Sequence, residues 1–183
     1  MSVALWKALY TQGHDAAALF STSAGWRLEG NAVFAKEGAP ARLSYALDLA
    51  TDFSTLAGSI EGMVGVSPVW IAIRRDLAGW TLNGVRQREV EGLLDLDFGF
   101  TPATNHPQLR RMDLAVGQSK EITVAWMDVD SDRLMPLPQN YRRIAHQAYD
   151  YHSPQGPYHA TLKIADNGFV ASYPTLWEME SGS

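Results

Sequence analysis

Apolar and polar residues alternate along most of this chain with a period of two. Trp26, Leu28, Ala32 and Phe34 alternate with Arg27, Glu29 and Asn31. After the loop at 36–40, Leu43, Tyr45, Leu47 and Leu49 alternate with Arg42, Ser44 and Asp48. Two such runs across a short Gly/Pro turn predict an antiparallel hairpin. The pattern returns at Ile122, Val124 and Trp126, along one run from Tyr141 to Tyr149, and at Tyr158, Ala160, Leu162 and Ile164. Val69 to Ile73 is apolar on both faces, and Trp80 to Leu82 runs into Asn83-Gly84, a strong hairpin cue. Phe169 to Tyr173 reads as a last strand, stopped by Pro174. Val3 to Tyr10 fits helix or strand, and Ala16 to Ser21 fits a partner strand or, through its Ala run, a short helix; strands are the favoured reading. Between Phe53 and Val66, Gly58, Gly62 and Gly65 predict bends, bulges or a surface that something approaches closely. No segment sustains a 3.6-residue period, and turn signals recur at regular spacing. The expectation is an all-β chain of ten or so strands with few or no helices. It would form a single domain over 1–183, with 179–183 as a flexible polar tail.

One stretch, from Leu94 to Leu114, concentrates polar residues in this apolar chain. Leu94, Leu96 and Phe98 alternate with Asp95 and Asp97, so both carboxylates should share one face of a short strand. Gly99, Pro102, Asn105 and Pro107 follow, and predict a compact loop, neither helix nor central strand. That loop would gather Asp95, Asp97, Thr104, Asn105, Arg110 and Arg111.

Composition narrows the classes. The 183 residues suit one ordinary domain with a real core. No cysteine is present, which excludes disulfides, thiolate metal sites and cysteine nucleophiles. The net charge of −5 comes without a basic stripe, which argues against a nucleic-acid partner. No run approaches the length of a membrane span. The N-terminus lacks the basic start and long apolar run of a signal peptide, so a cytoplasmic protein is expected. The 6 Trp, 7 Tyr and 6 Phe fall on nearly every predicted strand, as the aromatic concave face of a curved sheet would require.

Candidate chemistry is sparse. Asp95 and Asp97 could clamp sugar hydroxyls, form a carboxylate pair for glycoside hydrolysis, or be fixed structurally by the forked guanidiniums of Arg110 and Arg111. The last is the simplest reading. Thr104 and Asn105 are most simply loop-formers that satisfy the backbone around Pro102 and Pro107. Asp128-Val129-Asp130-Ser131-Asp132 starts like a calcium loop, but Arg133 and Gln139 stand where that motif needs Gly and Glu. Of the five histidines, His146 and His159 are the two expected to be neighbours. No zinc-helix motif, nucleophile elbow or phosphate loop occurs, so no metal and no cofactor are predicted. The pairs Arg74-Arg75, Arg110-Arg111 and Arg142-Arg143 would serve salt bridges or, facing inward, an anionic head group.

A longer pattern carries a resemblance. It comprises Asp95-x-Asp97, Thr101-Pro102-x-Thr104-Asn105, Arg110-Arg111, Gln147-x-Tyr149, Tyr158, Asp166-x-Gly168-x-Val170 and Tyr173-Pro174-x-x-Trp177. Trp6, Leu28-Glu29-Gly30 and Tyr45 precede it in order. The chain resembles the putative glycolipid-binding family of bacterial proteins. It departs from the family at Ala103, where a bulky residue is usual, at His106, where a Thr is usual, and at Pro107, whose proline falls one position later. The region around Phe53 and Leu56 lacks the family's Trp and Arg. The resemblance implies a spiral β-roll, a single long antiparallel sheet curled into a half-barrel, similar to periplasmic carriers of lipoprotein acyl chains. It also implies a lipid or glycolipid ligand in an apolar trough. Asp95, Asp97, Thr104, Asn105, Arg110, Arg111, Gln147, Tyr149, Tyr158, Tyr173 and Trp177 would be the contact residues.

Three readings stay open at this point. The favoured one is a binding protein for a glycolipid or other amphiphile, with no catalytic residue. The second is an enzyme using Asp95, Asp97 or His146 on a small amphiphilic or sugar substrate. The third is a structural protein whose curled sheet is filled by its own side chains. An open roll also leaves two edge strands, and their pairing would give a homodimer.

Overall fold

The computed structural model describes residues 1–183, and 61% of them are strand. The strands are β1 (Ser2–Ala8), β2 (Gly13–Thr22), β3 (Gly25–Lys36), β4 (Ala39–Leu49), β5 (Thr55–Val64), β6 (Ser67–Asp76), β7 (Gly79–Leu82) and β8 (Val85–Arg86). Then come β9 (Leu96–Phe98), helix α1 (Asn105–Met112), β10 (Ser119–Met127), β11 (Met135–Ala145), β12 (Ala148–Ser153), β13 (Tyr158–Ile164), β14 (Val170–Tyr173) and β15 (Trp177–Gly182). All fifteen belong to one sheet in the order β8-β7-β6-β5-β4-β3-β2-β1-β15-β14-β13-β12-β11-β10-β9. Chain-adjacent strands pair as antiparallel hairpins, and the two chain ends meet where β1 pairs β15. Only β9 runs parallel to its neighbour, β10. The sheet is curled and does not close into a barrel. Its edges are β8 and β9, two and three residues long. Edges this short offer little ladder for another chain to extend.

The period-two pattern decides what faces inward. In β3, Leu28, Gly30, Ala32 and Phe34 are buried while Glu29, Asn31 and Val33 are exposed. In β4, Ala41, Leu43, Tyr45, Leu47 and Leu49 are buried. With Trp6, Ile60, Ile73 and Trp80 they form one apolar core. The segment 94–114 lies across this inner face. Leu96 fits where a Cβ on Gly58 would stand only 2.5 Å from its Cδ2. Phe98 and Phe100 stack on each other with ring centroids 5.5 Å apart, and Tyr45 meets both edge-on. The glycine-rich strand is thus approached closely, and by the chain itself.

Three expectations are corrected, and one segment without an assigned element is placed. First, α1 replaces the expected loop after Thr104. Pro107 is its third residue, where the backbone N–H would have no intrahelical acceptor, so the ring costs no hydrogen bond. Second, the single run from Tyr141 to Tyr149 is two strands. The chain turns at His146-Gln147, and alternation continues across so tight a turn. Third, the proline-containing segment before Asn140, to which the alternation assigns no element, is the first half of β11. Pro136 and Pro138 pair with Ala125 and Thr123 of β10, whereas pairing with β12 begins only at Asn140. Two residues apart, both prolines turn the side without an N–H toward the unpaired edge, where none is needed. Fourth, residues 179–182 lie in β15 and not in a free tail. Ser181 and Gly182 pair with Leu5 and Ala4, and Val3 exchanges backbone hydrogen bonds with Ser183. No helix is long and apolar enough to cross a membrane.

Candidate functional site

The half-paired start of β11 leaves a cavity of about 350 Å³. Met135, Pro136 and Leu137 form one wall, and Trp126 of β10 lies against Gly99, where a Cβ would stand 2.8 Å from its ring. Tyr151, Ser153, Gln155, Gly156 and Tyr158 line it from β12, β13 and their connecting turn. Tyr173, Leu176 and Trp177 line it from the last two strands and the turn between them, and Asp97, Phe98, Thr101, Pro102 and Asn105 from the crossing segment. The rim is open: Met135, Gln155 and Gly156 are exposed. The floor is polar and buried, with Asp97, Thr101, Asn105 and Ser153 between 4% and 7% exposed.

A hydrogen-bonded network supports that floor. Thr104 donates its hydroxyl to Asp97 Oδ1 at 2.6 Å, and Gln139 donates its amide to Oδ2 at 2.9 Å. The Tyr141 hydroxyl donates toward the amide oxygens of Gln108 and Gln139, both at 3.2 Å, and accepts from Asn105 at 3.1 Å. Burial pushes the Asp97 carboxyl up to about 6, against the pull of its two donors. Burial likewise holds the Tyr141 and Tyr173 phenols well above their ordinary value.

Asp95, two residues away, has a different partner. Arg111 grips it with both Nε, at 2.8 Å from Oδ1, and a terminal nitrogen on Oδ2. Asp95 is thus held from α1 itself, whereas Asp97 is held by Thr104, just before that helix, and by Gln139 of β11. Only Asp97 lines the cavity.

The eleven sequence-predicted contact residues divide accordingly. Asp97, Asn105, Tyr158, Tyr173 and Trp177 line the cavity. Thr104 is fully buried beneath it and holds Asp97. Asp95 and Arg111 form the clamp just described. Arg110 is exposed, its guanidinium 5.5 Å from the Phe53 ring centroid. Gln147 is exposed and bonds Asp166, while Tyr149 packs under Arg143 and against Tyr141. His146 is exposed in the β11–β12 turn and does not line the cavity. It is not beside His159 either. His152 is the cross-strand neighbour, and Asp150 holds His159 at 2.6 Å. The acidic segment at 128–132 receives Lys36, 3.7 Å from Asp128 and 3.2 Å from Asp130. No arginine lines the cavity: Arg75 bonds Thr55 O and Ser54, and Arg143 bonds the carbonyls of Leu114 and His146.

Sequence reasoning missed Trp126, Met135, Leu137, Tyr151, Ser153, Gln139 and Tyr141. One signal was available. Prolines at 136 and 138 fall on one side of any strand and so mark an unpaired flank. A second buried centre was also missed. Asp15 is completely buried and accepts from the hydroxyls of Tyr45, at 2.9 Å, and Thr101, at 2.5 Å. Burial outweighs these donors and pushes Asp15 up to about 7. Gly30 makes room for this centre, since a Cβ there would stand 2.3 Å from the Tyr45 hydroxyl.

Residues 3–179 match the family described as putative glycolipid-binding. A crystal structure of a DUF1089 family protein from Pseudomonas aeruginosa is similar, with a TM-score of 0.78. The two share 25% identity, and the match covers 90% of this chain and 91% of that one. No curated protein matches the sequence.

Proposed function

The chain belongs to the putative glycolipid-binding family, and on that premise we propose that it binds the polar end of a glycolipid or related amphiphile in the cavity between β9–α1 and β10–β15. The observation that carries this is the convergence of aromatic walls and buried polar groups in one open cavity. Trp126, Tyr158 and Trp177 offer flat apolar faces, and Asp97, Asn105 and Ser153 offer hydrogen-bonding groups below them. Pockets for small ligands combine these two elements.

Volume limits what enters. At about 350 Å³ the cavity is at the small end of ligand pockets. The rest of the inner face is occupied by core side chains from Trp6 to Trp80. A sugar ring or one short chain segment fits; a whole two-chain lipid does not. The remaining hydrocarbon would therefore stay outside, near exposed Met135 and half-buried Leu176. Binding without catalysis is the better reading of the acids. A glycosidase needs two working carboxyl groups across the bond, and the second carboxylate here is bound to Arg111.

Calorimetric titration with octyl glucoside, below its micelle concentration, tests the proposal. Saturable one-site binding is expected. Met135→Trp, at the exposed rim, should abolish it while leaving the fold intact. Absence of saturable binding to any alkyl glycoside overturns the proposal.

A further inference from the structure

Charge inside the cavity is unbalanced. Its lining contains one carboxyl group, Asp97, and no lysine, arginine or histidine. Asp97 makes no ion pair: both of its oxygens are held by neutral donors, Thr104 and Gln139. The contrast with Asp95 is local. That carboxylate, two residues earlier in the same segment, has a guanidinium on both oxygens. Asp15 also lacks a cation, but it is sealed at 0% exposure, under the Tyr45 and Thr101 hydroxyls. Asp97 differs in facing a space that a ligand can enter.

The walls around that space suit a positive charge. Trp126, Tyr151, Tyr158, Tyr173 and Trp177 all line the cavity. Tyr173 packs against both Tyr151 and Tyr158, with ring centroids 5.7 and 5.3 Å away. Aromatic faces attract ammonium groups, most strongly where water is excluded, and a carboxylate among them adds a charge-assisted hydrogen bond. An anionic phosphate or sulfate would meet the opposite: a like charge and no cation.

Resting on the functional reading above, we propose that the head group bound here carries an ammonium nitrogen, as an amino sugar does, and that Asp97 is its counter-ion. The surroundings make Asp97 the one group able to take this role. Asp95 is already neutralised by Arg111. The other groups facing Asp97 are Thr104, Gln108, Gln139 and the phenols of Tyr141, Tyr151 and Tyr173, all neutral at pH 7 because burial raises the phenols further. Without a cation, burial keeps Asp97 titrating near 6. A bound ammonium would hold it ionised to lower pH.

Three octyl glycosides differing at one position provide the test: the glucoside, its 2-amino-2-deoxy analogue and its 2-acetamido-2-deoxy analogue. At pH 7 the amine should bind at least about tenfold more tightly than either neutral compound, a factor equivalent to about 1.4 kcal/mol. Asp97→Asn should bring all three to similar affinity, and lowering the pH of the wild-type protein to 5 should shrink the preference. Equal affinities in the wild-type protein overturn the amine assignment and leave glycoside binding standing. A preference that survives Asp97→Asn overturns the role of Asp97. Failure of all three to bind overturns the parent proposal as well. Should Asp97→Asn not fold, the wild-type comparison and its pH dependence decide alone.

Discussion

Replacing Asp15 by Asn isolates a buried charge in the folded protein. The carboxyl group is completely enclosed and accepts hydrogen bonds from Tyr45 and Thr101. Two donors would by themselves favour the ionised form, but the loss of water outweighs them and places the group at about 7 against an ordinary 3.8. The sign follows by linkage. An acid whose folded value is raised binds its proton more tightly when folded. Its contribution to stability is therefore fully present below about pH 3.8 and is lost as the pH rises through about 7. At 1.36 kcal/mol per pH unit, the shift of about three units amounts to about 4 kcal/mol. Asn has the shape of the protonated acid and does not titrate. Urea unfolding, followed by tryptophan fluorescence at pH 4 and pH 8, measures both proteins. The stability difference, variant minus wild type, should move in favour of the variant by about 4 kcal/mol between those pH values. Asp97, raised to about 6, titrates in the same window and in the same sense; His106, lowered to about 4, acts oppositely. Both are present in each protein and cancel in the difference. Parallel stability curves from pH 4 to 8 would refute the reasoning, because they would mean that the two hydroxyls hold Asp15 ionised despite its burial.

Other expectations follow from the same structure. Arg111→Ala leaves Asp95 buried without its counter-ion and should cost about 3–5 kcal/mol in chemical unfolding; a loss under 1 kcal/mol would show that Asp95 relaxes to water. Gly30→Ala forces a methyl to 2.3 Å from the Tyr45 hydroxyl and should cost about 1–3 kcal/mol. Gly58→Ala meets only the tip of Leu96, at 2.5 Å, and should cost less, so thermal melts that rank the two glycines the other way contradict the packing described. His106 is buried against Phe169, bonded to Asn167 O through Nε2 and without a partner at Nδ1, and burial lowers it to about 4. Its ring resonances should stay constant between pH 7.5 and 5.5. Stability contributed by keeping it neutral is present above about pH 6.5 and is lost as pH falls through about 4; a titration centred near 6.5 would show the ring to be solvated.

Much of the candidate site was legible as residues but not as neighbours. Asp97 and Asn105 stood out because they sit in a polar stretch of an apolar chain. Tyr158, Tyr173 and Trp177 entered through the family pattern. Gln147, Tyr149 and Arg110 share that pattern yet line no part of the cavity, since a pattern of recurring residues does not separate those that support a fold from those that face a space. The β10–β11 wall was not seen because Pro136 and Pro138 suggest a loop whenever the strand beside them is unknown.

Alternation by itself determined the sheet. A period of two specifies strand and inner face residue by residue, and tight turns between most runs leave antiparallel hairpins as the simplest connection. It could not determine which strands are half-paired, because that depends on where the neighbour ends. Nor could it assign partners to all three buried acids. Asp95 meets Arg111 only 16 residues on, a clamp the polar stretch itself suggests, but Asp97 meets Gln139 across 42 residues and Asp15 meets Thr101 across 86. Local sequence carries no record of such distances. Only when the sheet curls and the 94–114 segment crosses it does one carboxylate gain a cation, one a lid of hydroxyls and one an open cavity.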